Sequence, residues 1–455
     1  MLMAYLKISC LSPVYKKDDS LNITNYRPIS CLPLLNVIIE KLLHSRFSHF
    51  LEKHNLFFND QYGFRRNHST SDDVMKLLDR IYDSFELGDY FGTIMLDLSK
   101  AFDTVDHEVL LSKLYNYGFR GQAHDLIRSY LTERKQFVSC NGEISNTLPV
   151  RVGVPQGSVL GPLLFLIYVN DMPSVLVNGA SVIQYADDTT LYSSGKKMED
   201  LFNELTINLS KIKTWLDTNY LSLNVSKTYF TIFTNNTMPQ NISIDLNGQK
   251  IGHSPNPTFL GVTLDPKLTF NKHLHHIISK ISRSIGILWR VNYLPVETLK
   301  KLYYTLVYPY FLYCLLAWGS VSKTLTNSLF LKQKKIVRII SKGDYLDHSD
   351  PIFKKLNILK LEDLYRVYCS IFMFKMFYEN RYDIYHDKIK SFQINLPYNT
   401  RNTKLRLPDL RLIRSRQNVI YQGISIWNKI PNSIKNSVTS FSFKKNLKVH
   451  IINSY

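Results

Sequence analysis

Three aspartates stand where apolar runs stop. Asp97 closes the run Tyr90-Phe-Gly-Thr-Ile-Met-Leu96, and Asp187 and Asp188 lie between the apolar stretches 182–185 and 189–192. A strand end and a hairpin tip are rigid places to hold a side chain. Carboxylates brought together there repel one another unless cations lie between them. Mg²⁺ takes oxygen ligands, usually one or two carboxylates completed by substrate phosphates and water. Two such ions about 4 Å apart can stabilise both the attacking and the leaving oxygen of an in-line phosphoryl displacement. Singly, Asp-Asp is an ordinary turn pair and Asp97 an ordinary strand-end residue. The flanking residues have to decide.

The elements that would position these acids follow from periodicity. Residues 37–51 and 72–85 repeat apolar positions at helical spacing, the second with Ser71 or Asp72 as candidate cap. The β-rich run 90–96 is a strand ending at Asp97, and Asp106 can cap a helix over 107–116. Residues 136–141 and the run before Gly153 are strands around an Asn141-Gly142 turn, with a helix from about 158 to 171 after them. Around Ala186-Asp187-Asp188 the pattern is strand, tight turn, strand. Residues 273–380 are helical and basic, with Lys332, Lys334, Lys335, Arg338 and Lys342 close together. The stretch 331–340 reads either as a helix with a basic binding face or as an ordinary solvated one. Pro255-Asn-Pro257 and residues 343–350 are candidate boundaries.

The 455-residue chain is 45% apolar and 20% charged, which suits a globular protein of roughly three domains. Its 56 Lys and Arg against 37 Asp and Glu give a net charge of +19, which favours a polyanionic partner, nucleic acid ahead of an anionic membrane. Five scattered cysteines with no Cys-x-x-Cys spacing argue against a disulfide framework or a zinc site. The apolar stretch 302–318, interrupted by Pro309, is too short for a comfortable membrane span and reads as buried helical core. No targeting signal is visible, so cytoplasm and nucleus are the expected compartments.

Seven blocks then carry a resemblance. FGTIMLDLSKAFDTV (91–105), VGVPQGSVLGP (152–162) and QYADDTTL (184–191) resemble, in this order, the A, B and C motifs of reverse transcriptases, in particular those of non-LTR, jockey-like retrotransposons. KKDDSLNITNYRPISCLP (16–33) and QYGFRRNHST (61–70) are similar to the family's fingers motifs, LSLNVSKTYFTIF (221–233) to motif D and FLGVTLDPKL (259–268) to the primer-grip motif E. The resemblance covers about residues 5–270 and implies an α+β, right-hand polymerase fold. Residues 1–270 would be fingers and palm with the fingers incomplete, 271–380 a basic helical thumb, and 381–455 a basic tail (Arg401, Lys404, Arg406, Arg411, Arg414, Arg416) ending near a core Trp427.

The implied activity is RNA-directed DNA polymerisation on an RNA template from a DNA primer or target DNA, with dNTPs and two Mg²⁺ ions, or Mn²⁺ as substitute. Asp97 and Asp187 would ligate the metals, with the Leu98 carbonyl and Asp188 in support. Phe102 would stack under the incoming sugar and exclude a 2′-hydroxyl. Arg27 and Lys17 (or its neighbour Lys16) would grip the triphosphate, Gln156 would lie beside the nascent pair, and Lys227 would neutralise the departing pyrophosphate. Gly153 and Gly157 would let backbone approach the substrate. Arg65, with Arg66, would track template phosphates, Leu260 and Gly261 would belong to the primer grip, and Gly157 would contact template or primer. Asp103 and Asp106 are better explained by the turn and helix cap that follow Asp97. No membrane and no obligate protein partner are expected. Relatives of this kind carry an endonuclease ahead of the polymerase, so the chain reads as an N-terminally shortened copy. Its second reading is an inactive relic that only binds nucleic acid.

Overall fold

A computed structural model describes residues 4–236, 243–321, 323–344, 346–379, 381, 385, 388 and 405–455. The chain forms two compact units: Met1–Ser69, Phe91–Thr231 and Pro239–Ser254 make the first, and Thr70–Tyr90, Ile232–Met238 and Pro255–Tyr455 the second.

The first unit opens with two antiparallel strands, β1 (Ile8–Tyr15) and β2 (Tyr26–Cys31), in the register Val14↔Arg27, followed by helix α1 (Leu34–Lys53). The polar loop 16–25 between the strands is pinned where the Lys16 N–H donates to the Asn25 carbonyl (2.9 Å). After α2 (Thr70–Leu87), which belongs to the second unit, come β3 (Tyr90–Leu96), the short β4 (Leu98–Ser99), α3 (His107–Asn116) and α4 (Gln122–Leu131). Then follow β5 (Arg134–Cys140), β6 (Glu143–Ile144), β7 (Leu148–Val150) and α5 (Leu160–Val169). Asn141 and Gly142 both have positive φ (52° and 89°), which the tight turn between β5 and β6 requires.

The hairpin β8 (Ser181–Tyr185) and β9 (Asp188–Gly195) leads to α6 (Met198–Thr218), β10 (Ser222–Leu223), β11 (Tyr229–Phe233), β12 (Ile244–Leu246) and β13 (Gln249–His253). The main sheet runs β12-β13-β11-β3-β9-β8. Phe91 to Leu96 are all buried, so β3 reads as an unbroken apolar run because both of its faces are covered. On α6, Leu201, Leu205, Leu209, Ile212 and Leu216 recur at helical spacing on the buried face, which packs against β9. Helix α5 has no polar face: Leu163 to Val169 are buried without exception.

In the second unit, β14 (Thr258–Phe259) and β15 (Val262–Thr263) precede α7 (Asn271–Arg290), α8 (Val296–Leu306), α9 (Tyr308–Leu312), α10 (Leu315–Trp318), α11 (Lys323–Ser341), α12 (Ser349–Leu356) and α13 (Leu361–Tyr378). The stretch 302–318 is buried at Tyr303, Phe311, Leu315 and Trp318, as its apolar character predicts. It is three short helices and not one, because Pro309 opens α9 and Cys314 turns left-handed (φ 48°) before α10. Among the described residues no helix is long and apolar enough to cross a membrane.

Helix α2 starts at Thr70, so Ser71 and Asp72 lie inside it and do not cap it. Helices Val419–Trp427 and Ser440–Asn453 pack on α13, and Trp427 is core, with its ring 5.8 Å from that of Phe443. In the basic tail, Arg401 and Lys404 lie outside the described residues. Arg411 donates its backbone N–H to Glu86 (2.8 Å), and Arg414 donates to Asn235 (3.0 Å). All five cysteines are free thiols.

Candidate active site

The three aspartates occupy the positions their flanks predict. β3 and β9 are neighbours in the sheet, so Asp97, just past the end of β3, and Asp188, the first residue of β9, come from adjacent strands. The β8–β9 register pairs Tyr185 with Asp188, which leaves Ala186 and Asp187 as a two-residue loop. Ala186 is left-handed (φ 60°), a conformation that costs a non-glycine residue about 1 kcal/mol. Asp97 is fixed through its backbone: its N–H donates to the Thr228 hydroxyl (3.3 Å), and its carbonyl accepts from the Asn224 N–H (2.8 Å).

The electrostatics of the tip are those of crowded, partly desolvated carboxylates. The tip carboxylates are open to solvent on one side, but the surrounding protein still strips part of their hydration. That loss, with repulsion from Asp187 and then Asp97, pushes Asp188 up to about 6. Asp187 is also raised, by desolvation first and then by Asp97, while a hydrogen bond to its own backbone, Arg27 and Lys16 pull it back. Of Lys16 and Lys17, between which the sequence leaves the choice open, Lys16 is one whose charge acts on Asp187. Arg27 is exposed on β2.

Metal binding fits these donors in part. Carboxylate oxygens are hard ligands, and the desolvation and repulsion that raise Asp187 and Asp188 are what a divalent cation would relieve. Among the described residues, however, no three His, Cys, Asp or Glu side chains converge closely enough to hold an ion alone. A Mg²⁺ site of this kind is completed by substrate phosphates and water. Leu98, buried, opens β4 and pairs with Leu223 of β10.

The loop before α5 is held from two sides. Gln156 donates its Nε2 to Asp103 Oδ1 (2.8 Å), and its carbonyl accepts from the Ser30 N–H of β2 (2.7 Å). Gly157 has φ 103°, and a Cβ there would come within 3.2 Å of the Ser30 carbonyl oxygen, so this crossing needs glycine. Asp106 caps α3 as predicted, accepting from the Val109 N–H (2.9 Å). Asp103 does more than the turn expected of it, because it orients Gln156. Phe102 is half-buried, with its ring stacked on Phe165 of α5 at 4.6 Å.

Other expected residues fall elsewhere. Arg65 is a correction. Its guanidinium is committed to Glu52 (3.0 and 2.8 Å) and to the carbonyls of Phe58 (3.1 Å) and Gln61 (3.2 Å), so it props the chain and has no fork left for template phosphate. Lys227 is exposed in the turn whose Asn224 holds the Asp97 carbonyl. Leu260 and Gly261 belong to the second unit, where the Leu260 carbonyl accepts from the Tyr313 hydroxyl. Arg338, on the basic stretch of α11, donates to the Asp347 carbonyl (3.0 and 2.8 Å).

Glu40 and Gln61 carried no sequence signal for the parts they play. Glu40 is fully buried; its Oε2 accepts from the N–H groups of Val159 (2.6 Å) and Leu160 (3.3 Å), and its Oε1 from Asn36 (2.9 Å) and the Tyr130 hydroxyl (2.9 Å). It caps α5, whose own first residue offers no side-chain cap. Gln61 lies under the hairpin tip.

Several known proteins are similar to this chain. The profile of the reverse transcriptase (RNA-dependent DNA polymerase) family matches residues 14–264. The chain is 30% identical over 350 residues to the probable RNA-directed DNA polymerase from transposon BS of Drosophila melanogaster, covering 74% of this chain and 38% of that protein. It is also 30% identical over 354 residues to the RNA-directed DNA polymerase from mobile element jockey of the same fly, covering 75% and 38%. The chain thus spans well under half the length of these relatives. Among solved structures, apo telomerase from Candida tropicalis aligns with a TM-score of 0.44 at 14% identity, over 77% of this chain and 61% of that one.

Proposed function

Because the chain belongs to the reverse transcriptase (RNA-dependent DNA polymerase) family, we propose that it extends a DNA primer with dNTPs on an RNA template. The observation that carries this reading is the trio Asp97, Asp187 and Asp188 on adjacent strands, with the charges of Arg27 and Lys16 acting on Asp187. Asp97 and Asp187 would hold two divalent cations, Mg²⁺ or Mn²⁺ in its place, with the Leu98 carbonyl and Asp188 in support. Bound there, the ions supply Lewis-acid stabilisation of the attacking and leaving oxygens.

The chain's own groups do the rest. Arg27 and Lys16, or the adjacent Lys17, neutralise the triphosphate and orient it for in-line attack by the primer 3′-hydroxyl. Gln156, anchored by Asp103 and Ser30, faces the nascent pair from a loop that cannot shift without breaking both contacts. Phe102 sets the floor of the sugar site, and its stacking on Phe165 keeps the ring from yielding to a 2′-hydroxyl. Lys227 neutralises the departing pyrophosphate, and Leu260 and Gly261 support the primer terminus. The segment from 271 to 380 serves as a thumb on the hybrid, and the net charge of +19 supports its affinity for phosphate. In a complete element the activity copies RNA from the 3′ end of nicked target DNA, which puts it in the cytoplasm and nucleus.

Primer extension on a homopolymer RNA template tests the reading. Extension that requires a divalent cation and is lost in Asp187→Asn, with folding unchanged, is the expected result. A folded parent protein that adds no nucleotide would overturn the catalytic assignment.

A further inference from the structure

Beneath the β8–β9 tip runs a stretch of chain, residues 60–63, that the carboxylate chemistry does not use. Gln61 forms a parallel bridge with Gln184 of β8. The Gln184 N–H donates to the Asp60 carbonyl (2.9 Å), and the Tyr62 N–H donates to the Gln184 carbonyl (2.8 Å). The Gln61 side chain then reaches the tip itself: its Oε1 accepts from the Ala186 N–H (3.0 Å) and from the Gly63 N–H (2.9 Å).

Two details show that this contact is specific. Gln61 is only 2% exposed, and its Nε2 finds no hydrogen-bond partner among the described residues. Flipping the amide would set its NH₂ against two N–H donors. The side chain is therefore held by its oxygen, and a buried donor is left unmet to keep it there. The chain also passes so close that a Cβ on Gly63 would lie 2.3 Å from the Ala186 nitrogen. Ala186 is the left-handed residue that immediately precedes Asp187.

We propose that Gln61 is a positioning residue for Asp187 and Asp188: by holding the Ala186 amide, it fixes the strained turn that aims both tip carboxylates. The inference rests on the polymerase reading above. Near-attack geometry is lost with displacements of about 1 Å, at a cost on the order of 100-fold in rate. A loosened tip should therefore slow nucleotide addition without weakening nucleotide capture, which falls to Arg27 and its lysine neighbour.

The test pairs hydrogen exchange with steady-state kinetics on the full chain, using Gln61→Leu, Gln61→Glu and Gly63→Ala. Gln61→Leu removes both acceptor contacts. It should speed exchange at residues 184–188 while leaving 91–96 protected, and lower kcat by about 10- to 100-fold with the dNTP KM within about twofold. Gln61→Glu keeps an acceptor oxygen; it should slow that exchange again and raise kcat above the Leu variant. Unchanged exchange at the tip, faster exchange with unchanged kcat, or no recovery in Gln61→Glu would each overturn the proposal. Should Gln61→Leu lose protection throughout, Gly63→Ala decides: the acceptor stays while the added methyl displaces Ala186, and an undiminished kcat there refutes the role. If the parent chain adds no nucleotide, the polymerase reading fails, while the exchange comparison still decides whether Gln61 holds the tip.

Discussion

Replacing Glu40 by Leu should loosen helix α5, although residue 40 lies on a different helix and touches no reacting group. The carboxylate is fully buried and accepts four hydrogen bonds, two of them from the first N–H groups of α5. Leu is nearly the same size, so no large cavity forms. It offers no acceptor, so the two N–H groups at the start of α5 lose their partner. Those two contacts to a charged acceptor are lost at about 1.5 kcal/mol each. The missing negative charge at the helix start removes roughly another 0.5–1 kcal/mol.

The sum is about 3.5–4 kcal/mol, or between two and three decades in the opening equilibrium, since about 1.4 kcal/mol is tenfold. Native-state hydrogen exchange of residues 160–169 is the suitable assay, because a chain of two units need not unfold in one step. Expected is acceleration of roughly 100- to 1000-fold in α5. An acceleration of less than about tenfold would show that the buried carboxylate is not the cap inferred here.

Asp188 and Arg65 give two further predictions. Asp188 titrates near 6 in the folded chain, above its ordinary 3.8, so the folded state keeps this proton longer than the unfolded chain does. As pH rises through about 4 to 6 the carboxylate therefore subtracts stability, and without metal Asp188→Asn should raise the melting temperature at pH 7.5 but hardly at pH 4. A melt at pH 7.5 no higher than the parent's would refute the repulsion. Arg65→Ala should lower stability by about 1–3 kcal/mol through the lost Glu52 fork and two orphaned carbonyls. It should leave the salt dependence of RNA binding unchanged, and a shallower salt slope would restore the phosphate-contact reading.

Local order made the three clustered acids legible. An apolar run stopping at Asp97 and two short strands around Asp187 and Asp188 are read within a dozen residues, and the structure places each as those patterns require. The Asp106 cap and the Asn141-Gly142 turn are equally local. What stayed hidden depends on partners far along the chain. Glu40 meets Tyr130 and Val159 about 90 and 120 residues later, and its helical pattern says only that it lies on α1. Arg65 looked like a phosphate ligand because a guanidinium serves a carboxylate or a phosphate equally well, and only the fold shows Glu52 beside it. Asp103 was read as a turn residue because its turn is visible in sequence, whereas Gln156 lies over fifty positions away. Grouping of α2 with the later helices is a property of tertiary packing that no boundary signal announces.

The sheet order also sets a schedule for synthesis. β3 emerges ahead of its neighbours: β9 and β11 follow only about 90 and 130 residues later. At roughly 5–20 residues per second, the ribosome leaves this apolar strand without either partner for several seconds. Both of its edges stay unpaired in that interval, which is the state most open to aggregation and to capture by holdase chaperones. The two carboxylate-bearing strands cannot meet before β9 clears the ribosomal exit tunnel. Any transcript broken before that point therefore yields a sticky fragment in which the three acids never meet.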